Sequence, residues 1–202
     1  MQQKQLRNIL KSMNCTIDYI KSWLKENLSE ERYEHSLGTA ECAKKLAAKY
    51  GADEEKAYFT GLIHDCAKCL PKNEMQVILD DMADKLVCGE LENSKTHHAP
   101  AGVYVAKKEF GVEDEEILSA IRWHTIGKVN MTLFEKIIFL ADKMEECTRP
   151  KEYYEPLKKA LEAGGIDEAL LVCYKNTIKS LVDRDLGICT LTVDIYNSLL
   201  RR

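Results

Sequence analysis

His35, the pair His64-Asp65, the pair His97-His98, then His124 and finally Asp142 run along this chain in a fixed order, and they use all five of its histidines. Neutral imidazole and carboxylate together bind iron, manganese, zinc or harder divalent cations and leave coordination positions open for water. That is the raw material of metal-assisted hydrolysis. A single histidine on a helix is more often a core or surface residue than a ligand. The inference therefore rests on the set, in which each required residue type appears in order.

Positioning such a set calls for long, uninterrupted elements. The chain has 202 residues, 45% of them hydrophobic, which suffices for one domain with a real core. Four prolines and ten glycines leave extended segments and favour helices over a turn-rich β architecture. Ile17, Ile20, Leu24 and Leu28 form an apolar stripe that ends before Ser29, an N-cap with Arg32 at the third following position. Leu37, Ala40, Ala43, Ala47 and Tyr50 recur at helical spacing, and Gly51 supplies the stop.

Asp53 caps a helix predicted to run through about Cys69 and to close at Pro71, and a shorter one covers about 73–84. Residues 88–94 read as a loop. Pro100 suits the first turn of a helix running to Phe110 and stopped by Gly111. Another covers about 114–124 and breaks at Gly127, and Leu133, Ile137, Leu140, Ala141 and Met144 mark a buried helix. Two more are expected after Pro156 and after Gly164-Gly165, the longer carrying Leu170, Cys173, Thr177 and Leu181; Leu191, Ile195 and Leu199 suggest a last one. The fold class read from this pattern is all-α, in a single domain.

On these elements the candidate residues acquire geometry. Adjacent helical residues diverge by about 100°, so His64 and Asp65 approach one cation from two sides, or Asp65 bridges two. Asp142 lies one position past Ala141, at the edge of a core face where a lone carboxylate is costly unless paired, capped or metal-bound. Lys68, three residues after Asp65, shares its face and is placed to neutralise a transferring phosphoryl group; the alternative is an ordinary exposed lysine. His98 precedes a helix whose amides and dipole attract anions. His124-Thr125-Ile126-Gly127 offers an imidazole, a hydroxyl and turn amides together.

Several classes drop out. A net charge of −4 without a basic stripe argues against nucleic-acid binding. No apolar run approaches a membrane span, and the first residues lack the apolar core of a secretory signal, so a cytoplasmic protein is expected. Eight cysteines show no paired framework. Cys66-Ala67-Lys68-Cys69 is a lone C-x-x-C, open to a redox or zinc role or to packing on a buried helix.

The ordered set resembles the HD-domain superfamily of metal-dependent phosphohydrolases, which are helical. More narrowly, Arg32-Tyr33-Glu34-His35-Ser36-Leu37-Gly38 and Gly61-Leu62-Ile63-His64-Asp65-Cys66-Ala67-Lys68 are similar to the opening and central motifs of its YqeK-type branch. So are Ala120 to Gly127, and Ile137 to Glu145 with Arg149 beyond. The similarity extends from about residue 16 to Tyr196-Asn197, leaving residues 1–15 as an N-terminal extension and 16–202 as the phosphohydrolase domain. One departure is visible: the family's His-Gly-Pro is His98-Ala99-Pro100 here, a register that makes His98 the functional histidine and His97 its neighbour.

The resemblance implies symmetrical hydrolysis of bis(5′-nucleosyl) tetraphosphates, diadenosine tetraphosphate giving two ADP, with iron or another divalent or trivalent transition metal at the site. It implies His35, His64, Asp65 and Asp142 as metal ligands, with His98 and His124 facing the phosphates or completing a second metal position. Asp65, Lys68, His98 and His124 would carry the chemistry, and Arg32, Thr125 and Arg149 would bind outer phosphates. The rivals are other nucleotide phosphohydrolases or cyclic-nucleotide phosphodiesterases, a nucleotide- or metal-sensing module without turnover, and a helical scaffold with incidental histidines. One metal or two, the base preferred, and the oligomeric state, a homodimer included, stay open at this level.

Overall fold

A computed structural model of the chain describes residues 16–83, 86–87, 90 and 93–201. Its described elements are helices α1 (Ile17–Asn27), α2 (Glu30–Tyr50), α3 (Glu54–Ile63), α4 (Lys72–Asp81), α5 (His98–Phe110), α6 (Glu115–Trp123), α7 (Leu133–Met144), α8 (Lys151–Asp183) and α9 (Thr190–Leu200). No strand occurs among the described residues, as the all-α reading required. The expected extension, residues 1–15, and most of the expected 88–94 loop lie outside them.

Most starts are set by side chains that satisfy amides a helix leaves unpaired. Thr16, Ser29, Asp53 and Asp114 each accept backbone N–H bonds from the first turn they precede. Thr132 and Glu135 form a reciprocal capping box at the head of α7. Gly51 and Gly111 close α2 and α5 in the left-handed region, at φ 72° and 61°.

Helix α7 is the axis of the molecule. Ten of its twelve residues are buried, and Ile137, Ile138, Phe139 and Leu140 anchor a core shared with α2, α8 and α9. A second core joins α1 (Ile20, Leu24), α3 (Phe59, Leu62, Ile63), α5 and α6. Helices α2 and α3 lie so close that a Cβ on Gly61 would stand 2.8 Å from the Ala40 Cα. Glycine there brings the His35 and His64 helices together.

Three helix boundaries differ from the sequence reading, and two expected helices prove to be one. Helix α4 ends at Asp81, and residue 84, the far edge of the expected 73–84 segment, is not described. The helix expected to follow Pro156 begins at Lys151, directly after Pro150, and Pro156 sits in its second turn, where proline's fixed φ is compatible and only one ladder bond is lost. The two expected helices are limbs of one element broken at Gly165, whose φ of 81° and ψ of −165° suit glycine. The third difference is functional: the helix from Asp53 ends at Ile63, not near Cys69.

Candidate metal centre and active site

The ring of His64 ends that helix. Its Nδ1 donates to the Gly61 carbonyl at 2.7 Å, the acceptor that the Asp65 N–H would need to continue an α-helix. The chain instead tightens into turns, with Cys66 N–H on Ile63 O at 3.1 Å and Lys68 N–H on Asp65 O at 2.9 Å. His124 repeats the device: its Nδ1 donates to Ile121 O at 2.7 Å, and α6 stops at Trp123. With Nδ1–H committed to a carbonyl, each ring turns its Nε2 inward. The two rings lie 5.0 Å apart, edge to face.

His35 enters from α2 by another route. Its Nδ1 donates to Glu145 Oε1 at 3.0 Å, so its Nε2 faces Asp142 Oδ1, also at 3.0 Å. Around these sit His64 Nε2, 3.8 Å from Asp142 Oδ1, and Asp65 Oδ2, 3.9 Å from both His35 Nε2 and His64 Nε2. Separations of about 3 to 4 Å are those of donors roughly 2.1 Å from a shared cation.

The Nε2 atoms of His35 and His64 therefore converge with the carboxylate oxygens of Asp65 and Asp142. His35 Nε2 and His64 Nε2 are buried and have no aligned hydrogen-bond partner. Burial penalises charge on His35, yet the Asp142 and Glu145 carboxylates outweigh it and raise its pKa to about 9. Burial drives His64 the other way, to about 3. Asp65 and Asp142 are buried too, but neighbouring imidazoles with Lys68, and Lys143 with His35 and Arg149, hold their carboxyls well below the usual range. A cation satisfies such a centre. Among the described residues, two groups have donor atoms mutually within 4.8 Å: His35, His64 and Asp142, and His64, Asp65 and His124.

The opposite side of Asp65 carries the other candidates. Asp65 Oδ1 lies 3.2 Å from His98 Nε2 and 3.4 Å from His124 Nε2. His98 Nε2 is 3.1 Å from His124 Nε2, and the Thr125 hydroxyl is 3.1 Å from both. Lys68 Nζ sits 3.1 Å from the His98 ring nitrogens, partly buried, its pKa lowered by that burial against the opposing pull of Asp65. Arg32 Nη1 stands 3.5 Å from Asp65 Oδ2 at the rim. Arg149 holds Asp142 twice, Nη2 to Oδ1 at 2.6 Å and Nε to the carbonyl at 3.0 Å. The structure thus brings together His35, His64, Asp65, Lys68, His98, His124, Thr125, Asp142, Arg32 and Arg149. His97 instead stands at the N-cap of α5.

Sequence reasoning missed two partners. Glu145 closes α7, and its carboxylate accepts from His35 and from the Cys147 and Thr148 amides. Its one legible signal was its place three residues after Asp142, on the same helical face. Glu90 forms a buried bidentate pair with Arg122, 2.7 and 2.6 Å, and no spacing rule links residues so far apart. Of the C-x-x-C pair, Cys66 is buried with its Sγ 3.7 Å from Gly102 O, its thiol pushed up by burial, while Cys69 is exposed.

An all-α bundle that converges histidines and aspartates from four helix ends onto one buried point is the architecture of a metal-centred hydrolase. The chain belongs to the HD domain family, whose model matches residues 32–146. It is 39% identical to a symmetrical bis(5′-nucleosyl)-tetraphosphatase of Halalkalibacterium halodurans, covering 88% of this chain and 93% of the relative. A protein of the same description from Bacillus subtilis is 38% identical, with 88% and 94% covered. A crystal structure from Clostridium acetobutylicum, of a protein described as a predicted HD superfamily hydrolase involved in NAD metabolism, superposes with a TM-score of 0.85 at 40% identity, covering 93% of this chain and 98% of that one.

Proposed function

We propose that this protein hydrolyses bis(5′-nucleosyl) tetraphosphates at the middle of the phosphate bridge, diadenosine tetraphosphate and water giving two molecules of ADP. The convergence of His35, His64, Asp65 and Asp142 on one buried point carries the reading, in a chain that matches tetraphosphatases of that name along nearly its whole length. Those four side chains hold iron, or another divalent or trivalent transition metal; His124 with His64 and Asp65 supplies the donors for a second ion. Bound there, a cation of this class acidifies water and polarises a phosphoryl oxygen.

The protein's own groups do the rest. Asp65 orients the attacking water or accepts its proton, and its neighbours keep the carboxylate ionised. Lys68 presents a partly desolvated ammonium to the phosphoryl oxygens, where charge stabilisation is strongest. Burial holds the His98 pKa near 3, so His98 is neutral at pH 7 and serves as a ring N–H donor beside His124, not as a general acid. The leaving group is a nucleoside diphosphate, which departs as an anion without needing a proton. Arg32, Thr125 and Arg149 bind the outer phosphates from the rim.

The same reading assigns residues 16–202 to the hydrolase domain and residues 1–15 to an extension. It places the reaction in the cytoplasm. Purified protein supplied with iron, and given diadenosine tetraphosphate, is expected to yield ADP as the sole nucleotide. Equal amounts of AMP and ATP, or turnover only of deoxynucleoside triphosphates or cyclic dinucleotides in a parallel panel, would overturn it.

A further inference from the structure

Lys143 is buried inside the bundle, a costly place for an ammonium unless partners surround it. Its Nζ donates to the His124 carbonyl at 2.9 Å and to Asp142 Oδ2 at 3.0 Å, and lies 3.9 Å from the centre of the Phe139 ring. These contacts join two separate elements. Asp142 belongs to α7, and His124 caps the end of α6. The ammonium also separates the two oxygens of one carboxylate: Oδ2 is occupied by Lys143, while Oδ1 faces His35, His64 and Arg149.

We propose that Lys143 is a positioning residue of the metal centre: it fixes which Asp142 oxygen is offered to the ion and pins the His124 turn against α7. The proposal rests on the metal-centre reading above. Its sign is informative, because two effects oppose each other. As a nearby positive charge, Lys143 repels a bound cation, and on that ground alone its removal would tighten metal binding. As a positioning group it orders a ligand, and loss of such outer contacts lowers metal affinity about 10–100-fold.

The test is an iron or manganese titration of wild type, Lys143→Met and Lys136→Met against a competing chelator, with apo-protein melting and helical circular dichroism recorded alongside. Lys136 lies on the same helix and pairs with Asp167 at 2.6 Å, outside the centre, so its variant reports the effect of losing an α7 ion pair. The expected result is weaker metal binding by about one to two decades for Lys143→Met, with Lys136→Met unchanged in affinity whatever its melting temperature. Unchanged or tighter binding by Lys143→Met overturns the proposal. Wild type that binds no metal overturns the metal-centre reading instead. Should Lys143→Met fail to fold, the same titration of Lys143→Gln decides on the same criteria.

Discussion

His35 Nδ1 and Glu145 Oε1 meet at 3.0 Å across 110 residues of sequence, and this contact turns the other nitrogen of His35 toward Asp142. A carboxylate behind a ligating imidazole fixes its tautomer and raises its basicity. Glu145→Gln keeps the size but removes the charge, so metal affinity should fall about 10–100-fold. Chelator competition reads the change, and an unaltered affinity would show that His35 needs no orienting partner.

Three of the histidines should separate by metal content. His35→Ala and His64→Ala each remove a converging donor and are expected to purify without the principal metal. His97→Ala, at the α5 cap, should keep it. Elemental analysis of the three variants makes the comparison.

Lys68→Ala should leave metal content intact and lower kcat on the order of a hundredfold, the cost of deleting a preorganised electrostatic donor. Steady-state kinetics with diadenosine tetraphosphate separate the two parameters. A change confined to KM would make Lys68 a group that binds substrate and transition state alike.

Gly61→Ala tests the helix approach beneath the site. The new methyl would meet the Ala40 backbone at 2.8 Å and the Thr39 carbonyl at 3.0 Å, neither of which yields like a side-chain tip. Overpacking of this kind costs about 1–3 kcal/mol, or roughly 2 to 12 °C in Tm for a chain of this size. Differential scanning calorimetry of the apo protein measures it.

The acid limb of stability has a traceable contribution remote from the metal. Lys56 pairs with Asp114 at 2.7 Å and with Glu116 at 2.8 Å. Despite partial burial, the Lys56 ammonium and the α6 amides hold the Asp114 carboxyl below its ordinary value. A depressed carboxylate contributes stability above its unfolded pKa, and that contribution is lost as pH falls through the folded value. Lys56→Met should therefore be destabilised most near neutrality and converge on wild type as the pH drops below about 4. Urea melts across that range follow it, and a constant difference would assign the effect to the contact of Lys56 with the Phe134 ring, whose centre lies 5.4 Å from Nζ.

The sequence by itself determined the helical class, the caps at Ser29 and Asp53, the stops at Gly51 and Gly111, and the histidines and aspartates that the fold brings together. These depend on periodicity, on side chains that serve their own next turn, and on rare residue types in order, all of which are local. The helix end at Ile63 was also local in cause, but helix-favouring residues beyond it masked the competition from the His64 ring for the Gly61 carbonyl. Only the tertiary structure decided that His35 and Asp142 share a point, that Glu145 stands behind one and Lys143 behind the other, and that Glu90 answers Arg122. A buried charge is satisfied by whatever partner packing brings within about 3 Å, and that partner need not be near in sequence.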